Sequence, residues 1–218
     1  MPFLAIDFWS ILWLSLRVSG MAVLISSFIG IPCGVWLGLS RHRGKRLLSA
    51  VIHTGMAFPP VVVGLVLYIL LSRSGPFAFL GWMFTTEAMI AAQTILALPF
   101  VIGITMSAVA AVPTELPAQL RTLGASERQC RWTILREARH GVLLAVAAAF
   151  GRSISEVGAV LIIGGNIQGH TRVLTTAIVL ETGKGNFEFA LALGGALLLM
   201  ALLVNLIIVR LQGSRLPA

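Results

Sequence analysis

The stretch FALALGGALLLMALLVNLIIV, Phe189 to Val209, contains one strongly polar side chain, Asn205. About 20 apolar residues coiled at ~1.5 Å each match the hydrocarbon thickness of a bilayer, and a helix satisfies its backbone amides within the segment. The run does not alternate polar and apolar residues, as a barrel strand would. It therefore reads as a membrane-spanning helix, with Asn205 able to hydrogen-bond across a helix interface. The rest of the chain agrees: 57% of its 218 residues are apolar and 11% charged, more apolar surface than a soluble domain hides from water.

A window of the same length predicts spans at 11–39, 47–71, 86–111, 141–163 and 188–210. The fold class is an all-α polytopic membrane protein of about five transmembrane helices, a single domain over 1–218. The first connection holds Arg41, Arg43, Lys45 and Arg46, and the third, 112–140, holds Arg121, Arg128, Arg131, Arg136 and Arg139. The second holds only Arg73, and the fourth, 164–187, holds Arg172 and Lys184. Arg210 and Arg215 follow the last span. Basic residues collect on the cytoplasmic side, so the N-terminus is outside and the C-terminus cytoplasmic. The net charge of +8 thus serves orientation rather than nucleic-acid binding. The first segment lacks a basic n-region and a small-residue cleavage site, and it carries Asp7; it reads as a retained helix, not a signal peptide.

Trp9, Trp13 and Trp36 fit aromatic belts at the two ends of the first span, where Arg17 could snorkel outward. Gly30, Gly34 and Gly38 recur every four residues and form a smooth packing ridge, within or between subunits. Pro59 and Pro60 interrupt the second span and Pro99 the third, each removing a backbone donor and predicting a kink or local opening. Cys33 and Cys130 belong to different depths and suggest neither a disulfide nor a redox or metal site. His42, His53, His140 and His170 are scattered in depth, against metal binding. No catalytic constellation stands out at motif spacing, which points away from an enzyme.

The third connection, VPTELPAQLRTLGASERQCRWTILREARHG, is too polar to span and too patterned for a plain linker. Leu116, Leu120 and Leu123 share a helical face, Thr114 can cap the start, and Gly124 is a C′ stop, so a short helix over 114–124 turns into a second from Ser126 to about His140. Such a face needs a partner groove or the lipid interface to cover it.

This loop resembles the cytoplasmic loop of ABC importer permeases, whose consensus is Glu-Ala-Ala, three residues, Gly, nine residues, Ile-x-Leu-Pro. TLGAS, Thr122 to Ser126, is the part most like it. Anchored on Gly124, the triplet falls on Ala118, Gln119 and Leu120, with Glu115 one turn earlier in place of the family's Glu. Ile134 is in register, and Arg136 and Glu137 replace Leu-Pro. The resemblance implies a type I permease fold and a coupling helix, carried by Glu115, Leu116, Ala118, Gln119, Leu120, Leu123, Gly124, Ala125 and Ser126, that enters a groove on a separate ATPase. No Gly-x-x-x-x-Gly-Lys-Ser/Thr loop occurs, and ETGKGN has neither its spacing nor its hydroxyl, so ATP and magnesium are expected on the partner and no cofactor on this chain.

FGRSISEVGAVLIIGGN, Phe150 to Asn166, places Arg152 and Glu156 in an apolar run. Four residues apart on one helical face they can pair, which spares the bundle two lone ions. A neutralising pair that orients the span and a contact with substrate both remain open. With GGNI at 164–167 and TRVLTTAI at 171–178, the stretch resembles the molybdate/tungstate branch of these permeases. Related molybdate permeases can have one more N-terminal helix. The branch implies Arg152, Ser153, Ser155 and Glu156 at a gate or pore wall on a dimer axis. Asn166, His170, Thr171 and Arg172 could contact a binding protein or anion, although turn chemistry around Gly165 and Gly169 also accounts for them. TRVLTTAIVLET is too short to span and could lie at the outer surface.

The expected protein is the permease subunit of an ATP-driven tungstate or molybdate importer, a homodimer in the bacterial or archaeal plasma (inner) membrane. Two ATPase subunits lie below it and a solute-binding protein above, and there is no nucleic-acid partner and no fused regulatory domain. A permease for sulfate or another solute, a proton-driven transporter and a membrane-embedded enzyme are the alternatives.

Overall fold

The structure, a computed structural model, describes residues 2–40, 44–113 and 115–212. Arg41, His42, Arg43, Thr114 and Arg215, and with Thr114 the expected cap, lie outside the described residues. Among the described residues ten α-helices follow in order: α1 Pro2–Leu39, α2 Lys45–Met56, α3 Pro60–Leu71, α4 Thr86–Ala110, α5 Glu115–Thr122, α6 Glu127–Glu137, α7 Arg139–Ile154, α8 Gly158–Gly164, α9 Leu174–Gly183 and α10 Phe187–Gln212. A 3-10 turn, Ala78–Leu80, joins α3 to α4. Three helical segments are long and apolar enough to cross a bilayer: Phe8–Leu39, Thr86–Ala110 and Phe187–Leu211. The pairs α2 with α3 and α7 with α8 are bent by 94° and 56°, and counting each as one span gives five.

The interruption expected at Pro59 and Pro60 is present, whereas the continuous helix expected at 141–163 is corrected. Of the two spans the first breaks because Pro59, itself followed by proline, is held extended at ψ 121° and cannot continue α2. Pro60 then opens α3 at its first position, where a missing amide proton costs nothing. The second breaks at Ser155 to Val157 and resumes at Gly158. Pro99, by contrast, interrupts nothing: α4 runs unbroken through it, and its ring lies where a Cβ on Gly55 of α2 would stand 3.0 Å from Cγ.

The two broken spans pack on each other. A Cβ on Gly64 of α3 would stand 2.7 Å from the Ala159 Cα, and one on Gly158 of α8 would stand 2.8 Å from Val61 Cγ2. Gly64 therefore faces the α8 backbone, and Gly158, beside the second break, faces the Val61 side chain. Around them, Val18 of α1, Leu71, Met89, Ala92 and Leu96, and Val160 and Ile163 form one core, while Val23, Val101, Ala149, Phe150 and Ile154 form a second, against which Leu197 and Met200 of α10 pack.

The glycine ridge on α1 faces α4 within the chain. Added Cβ atoms on Gly30, Gly34 and Gly38 would lie 2.8, 2.7 and 2.7 Å from Val101, Thr105 and Val109, and the one on Gly34 also 2.8 Å from the Ile102 carbonyl oxygen. Residues 174–183 form the short helix α9, whose first turn, Leu174 to Ala177, is buried against the rest of the chain. Its first amide donates to Ser15 Oγ of α1 at 2.8 Å, and that hydroxyl donates to Ile11 O at 2.7 Å. A buried amide at a helix start needs such an acceptor.

Since a backbone carbonyl cannot move aside as a side chain can, Gly34→Leu should lower the thermal unfolding midpoint of the purified protein, at a cost of about 1–3 kcal/mol or more. Gly20→Ala, with open space around the new methyl, should leave the midpoint unchanged in the same fluorescence-monitored melt.

Candidate functional site

Two places in the chain combine polar chemistry with tight local geometry. The first is the α5–α6 hairpin. Leu120, Arg121, Leu123 and Gly124 end α5 in a Schellman motif: the Gly124 amide donates to Arg121 O at 3.0 Å and the Ala125 amide to Leu120 O at 3.0 Å. Gly124 sits at φ +81°, the left-handed region that glycine enters without a Cβ clash. Two residues later Ser126 caps α6, its hydroxyl accepting from the Gln129 amide while Gln129 Oε1 accepts from the Ser126 amide. A fork then ties the helices across the turn: Arg121 Nε and Nη2 donate to Glu127 Oε1 and Oε2 at 2.8 and 3.3 Å. The Arg121 hydrogen bond and charge hold the Glu127 carboxyl below the usual carboxylate range, so the brace persists above that value and opens as pH falls through the lowered one.

The apolar face of α5 is only partly covered. Leu116 and Leu120 are half-buried, Leu123 is 84% exposed, and Glu115, Ala118, Gln119, Gly124 and Ser126 are exposed, with Ala125 half-buried. Every residue that the loop reading selected thus stands on one projecting hairpin, joined through α6 and Ala138 to α7.

The second place is the break between α7 and α8. Arg152 lies in the last turn of α7, and its Nη1 donates to Glu156 Oε2 at 2.8 Å. Glu156 is not on the same helix as the sequence reading had it; it stands in the break, 2% exposed, against 22% for the Arg152 side chain. Its other oxygen accepts from the Ala159 amide at 3.0 Å, capping the start of α8, and its backbone carbonyl accepts from Thr175 Oγ1 of α9 at 2.7 Å. A cation at the C-terminal end of one helix and an anion at the N-terminal end of the next both match the helix dipoles. Ser155 is exposed and donates back to Gly151 O, whereas Ser153 is buried with its hydroxyl unpaired among the described residues.

The four residues expected at a gate thus divide. Arg152 and Ser155 face outward in part, and Glu156 and Ser153 face the protein interior. Thr175 and Ser15 were missed: TRVLTTAI marked Thr175 only as part of a family-like string, and nothing in the sequence joined Ser15 to residue 174.

In the loop after α8, Gly165, Asn166 and Gly169 all take positive φ. Thr171 is buried and closes the turn, its hydroxyl donating to Gly164 O and accepting from the Ile167 amide. Arg172 Nε and Nη2 donate to Asn166 Oδ1 and O at 3.3 and 3.4 Å. Turn chemistry therefore occupies Asn166, Thr171 and much of Arg172, and His170 is exposed.

A helical membrane chain with a braced, projecting hairpin whose second helix leads into a broken span matches one family: residues 30–214 fit the binding-protein-dependent transport system inner membrane components, and the chain belongs to that family. Three relatives narrow the class to permease subunits of ABC importers, which are multi-pass transport components and not enzymes. The chain is 47% identical over 201 residues to the probable anion ABC transporter permease protein of Haloferax volcanii, covering 90% of this chain and 87% of that one. It is 42% identical over 204 residues to the tungstate uptake system permease protein TupB of Peptoclostridium acidaminophilum, covering 94% and 90%. The molybdenum transport system permease protein ModB of Escherichia coli K12 is 31% identical over 222 residues, with 95% and 96% covered. A chain of the MetNI methionine ABC transporter, solved in inward-facing conformations, superposes with a TM-score of 0.76 over 97% of both chains at 20% identity, which shows the shared fold.

Removing one member of a buried ion pair strands the other, at about 3–5 kcal/mol. Glu156→Ala should therefore unfold well below the parent protein in a thermal melt, and the Arg152→Ala, Glu156→Ala double variant should lose less than the two single losses added. For the hairpin, the Glu127 carboxyl followed by NMR should titrate below an ordinary glutamate, and Arg121→Gln should return it toward the usual range.

Proposed function

We propose that this chain lines the translocation path of a tungstate or molybdate importer as a homodimer. Two separate ATPase subunits carry ATP and magnesium on the cytoplasmic side, and a solute-binding protein delivers the anion from outside. This chain binds no cofactor of its own and no nucleic acid. The observation that carries the reading is the strong similarity to permeases named for anion and tungstate uptake, joined to a projecting hairpin of the kind an ATPase groove would receive.

The geometry supplies a route for coupling. The partly covered face of α5, Leu116, Leu120 and Leu123, enters the ATPase groove. The Arg121–Glu127 fork and the Schellman turn make α5 and α6 move together. From Ala138 the chain continues into α7, whose far end is the Arg152–Glu156 break, so a push on the hairpin arrives at a hinge already present in the span. At that hinge Glu156 stays fixed to α8 and α9 by its cap and by Thr175, while Arg152 and Ser155 face the path. Because Glu156 largely neutralises Arg152, the path offers a polar, weakly attractive surface to a doubly charged oxyanion. A lone arginine there would hold the anion; the pair lets it pass. In the outer loop, exposed His170 and the accessible part of Arg172 meet the binding protein, with Asn166 and Thr171 shaping the turn that presents them.

The assembled transporter in liposomes tests this. Its ATPase should be stimulated by tungstate- or molybdate-loaded binding protein, and on the order of tenfold less in Gly124→Val, which cannot adopt the left-handed turn without strain. Stimulation by a sulfate-loaded binding protein alone would instead make the chain a sulfate permease.

A further inference from the structure

At its cytoplasmic end α1 stands away from α6 and leaves an open cleft of about 960 Å³, continuous with a hollow of about 540 Å³ along the next turns of α6. Val35, Arg131 and Leu135 line both. The two ends of this groove differ in chemistry. Its inner wall is Ile31, Pro32 and Val35, which belong to the apolar span Phe8–Leu39. Its mouth is Arg128 and Arg131 of α6; neither lies within ion-pair distance of a carboxylate among the described residues, and Glu127 on the cleft wall, close enough to feel the Arg131 charge, is held by Arg121. Trp36 and Trp132, 58% and 68% exposed, flank the mouth. Exposed indoles beside a span end mark the headgroup level of a bilayer.

An occupant of this groove must carry negative charge at one end and hydrocarbon at the other. A soluble ATPase can reach the mouth but not a wall at hydrocarbon depth, and a free oxyanion has nothing to offer Ile31 and Val35. A zwitterionic lipid leaves both arginines facing a headgroup without net charge. We infer that the α1–α6 cleft binds an anionic phospholipid of the cytoplasmic leaflet, its phosphate between Arg128 and Arg131 and an acyl chain along Val35 and Leu135. The lipid then joins the end of α1 to α6, the arm of the coupling hairpin that leads into α7 and the hinge, and the membrane's anionic content becomes a setting on the coupling lever. This goes beyond the transport reading and does not depend on which anion is carried.

The test is native mass spectrometry of the assembled transporter in detergent, titrated with phosphatidylglycerol or phosphatidylcholine. Phosphatidylglycerol should be retained in preference. The Arg128→Gln, Arg131→Gln double variant should lose that binding on the order of 30-fold, as expected for two basic residues at an anionic lipid surface. Arg136→Gln, on the same helix but outside the cleft, should retain it. Equal retention of the two lipids, or unchanged binding in the double variant, overturns the proposal. So does competition by inorganic phosphate at the lipid's own concentration, which would mean that no acyl chain is held. Binding seen only after the ATPase subunits are stripped away also overturns it, and identifies the cleft as part of their docking surface.

Discussion

The structure turns on one buried carboxylate. Glu156 lies where an apolar span stops being helical, and a charge so placed is tolerated only if its environment replaces the lost water. Three groups do so or build on it: the Arg152 guanidinium from the helix that is ending, the Ala159 amide from the helix that is beginning, and Thr175, whose hydroxyl binds the same residue's carbonyl. Each reaches Glu156 from a different helix, α7, α8 or α9. The break is thus held open and fixed in direction by one residue, and the buried start of α9, anchored in turn to Ser15 of α1, depends on it.

That arrangement explains why a charged pair appears in a membrane segment without making it unstable. Two helix ends meeting inside a bilayer would present unsatisfied carbonyls on one side and unsatisfied amides on the other. Arg152 sits at the carbonyl end and Glu156 at the amide end, so each charge answers a local dipole and the two answer each other. The same residues that cost free energy in a continuous helix stabilise a broken one. Gly64 and Gly158 then allow the opposing broken span, α2–α3, to lie against the break at backbone distance.

Much of this was legible in the residues. Apolar run length located the spans, Pro59 and Pro60 announced one break, and Gly124 with Ser126 marked both the end of α5 and the start of α6. The second break was not legible, because spacing of four reads as one helical face whether or not the helix continues, and Glu156 at that spacing imitates an intrahelical pair. Pro99 lies inside an unbroken α4: a proline removes one donor, and the packed helix around it can absorb the loss. Thr175 and Ser15 act over 19 and 159 residues of sequence, and contacts of that range leave no periodic trace.

The order of the elements also constrains how force can travel. The hairpin is stiff at its turn, through the Schellman bonds, the capping box and the Arg121–Glu127 fork, and α7 is continuous up to Ile154. Between them lies only Ala138, a buried single-residue step between α6 and α7. In the proposed coupling route, motion entering at α5 would concentrate where the helices are interrupted, at Ala138 and at the Glu156 break. Of these two, only the break carries exposed polar groups beside a buried charge. A change in its angle alters how much of Arg152 is screened by Glu156, and with it the electrostatic character of the surface that an anion would meet.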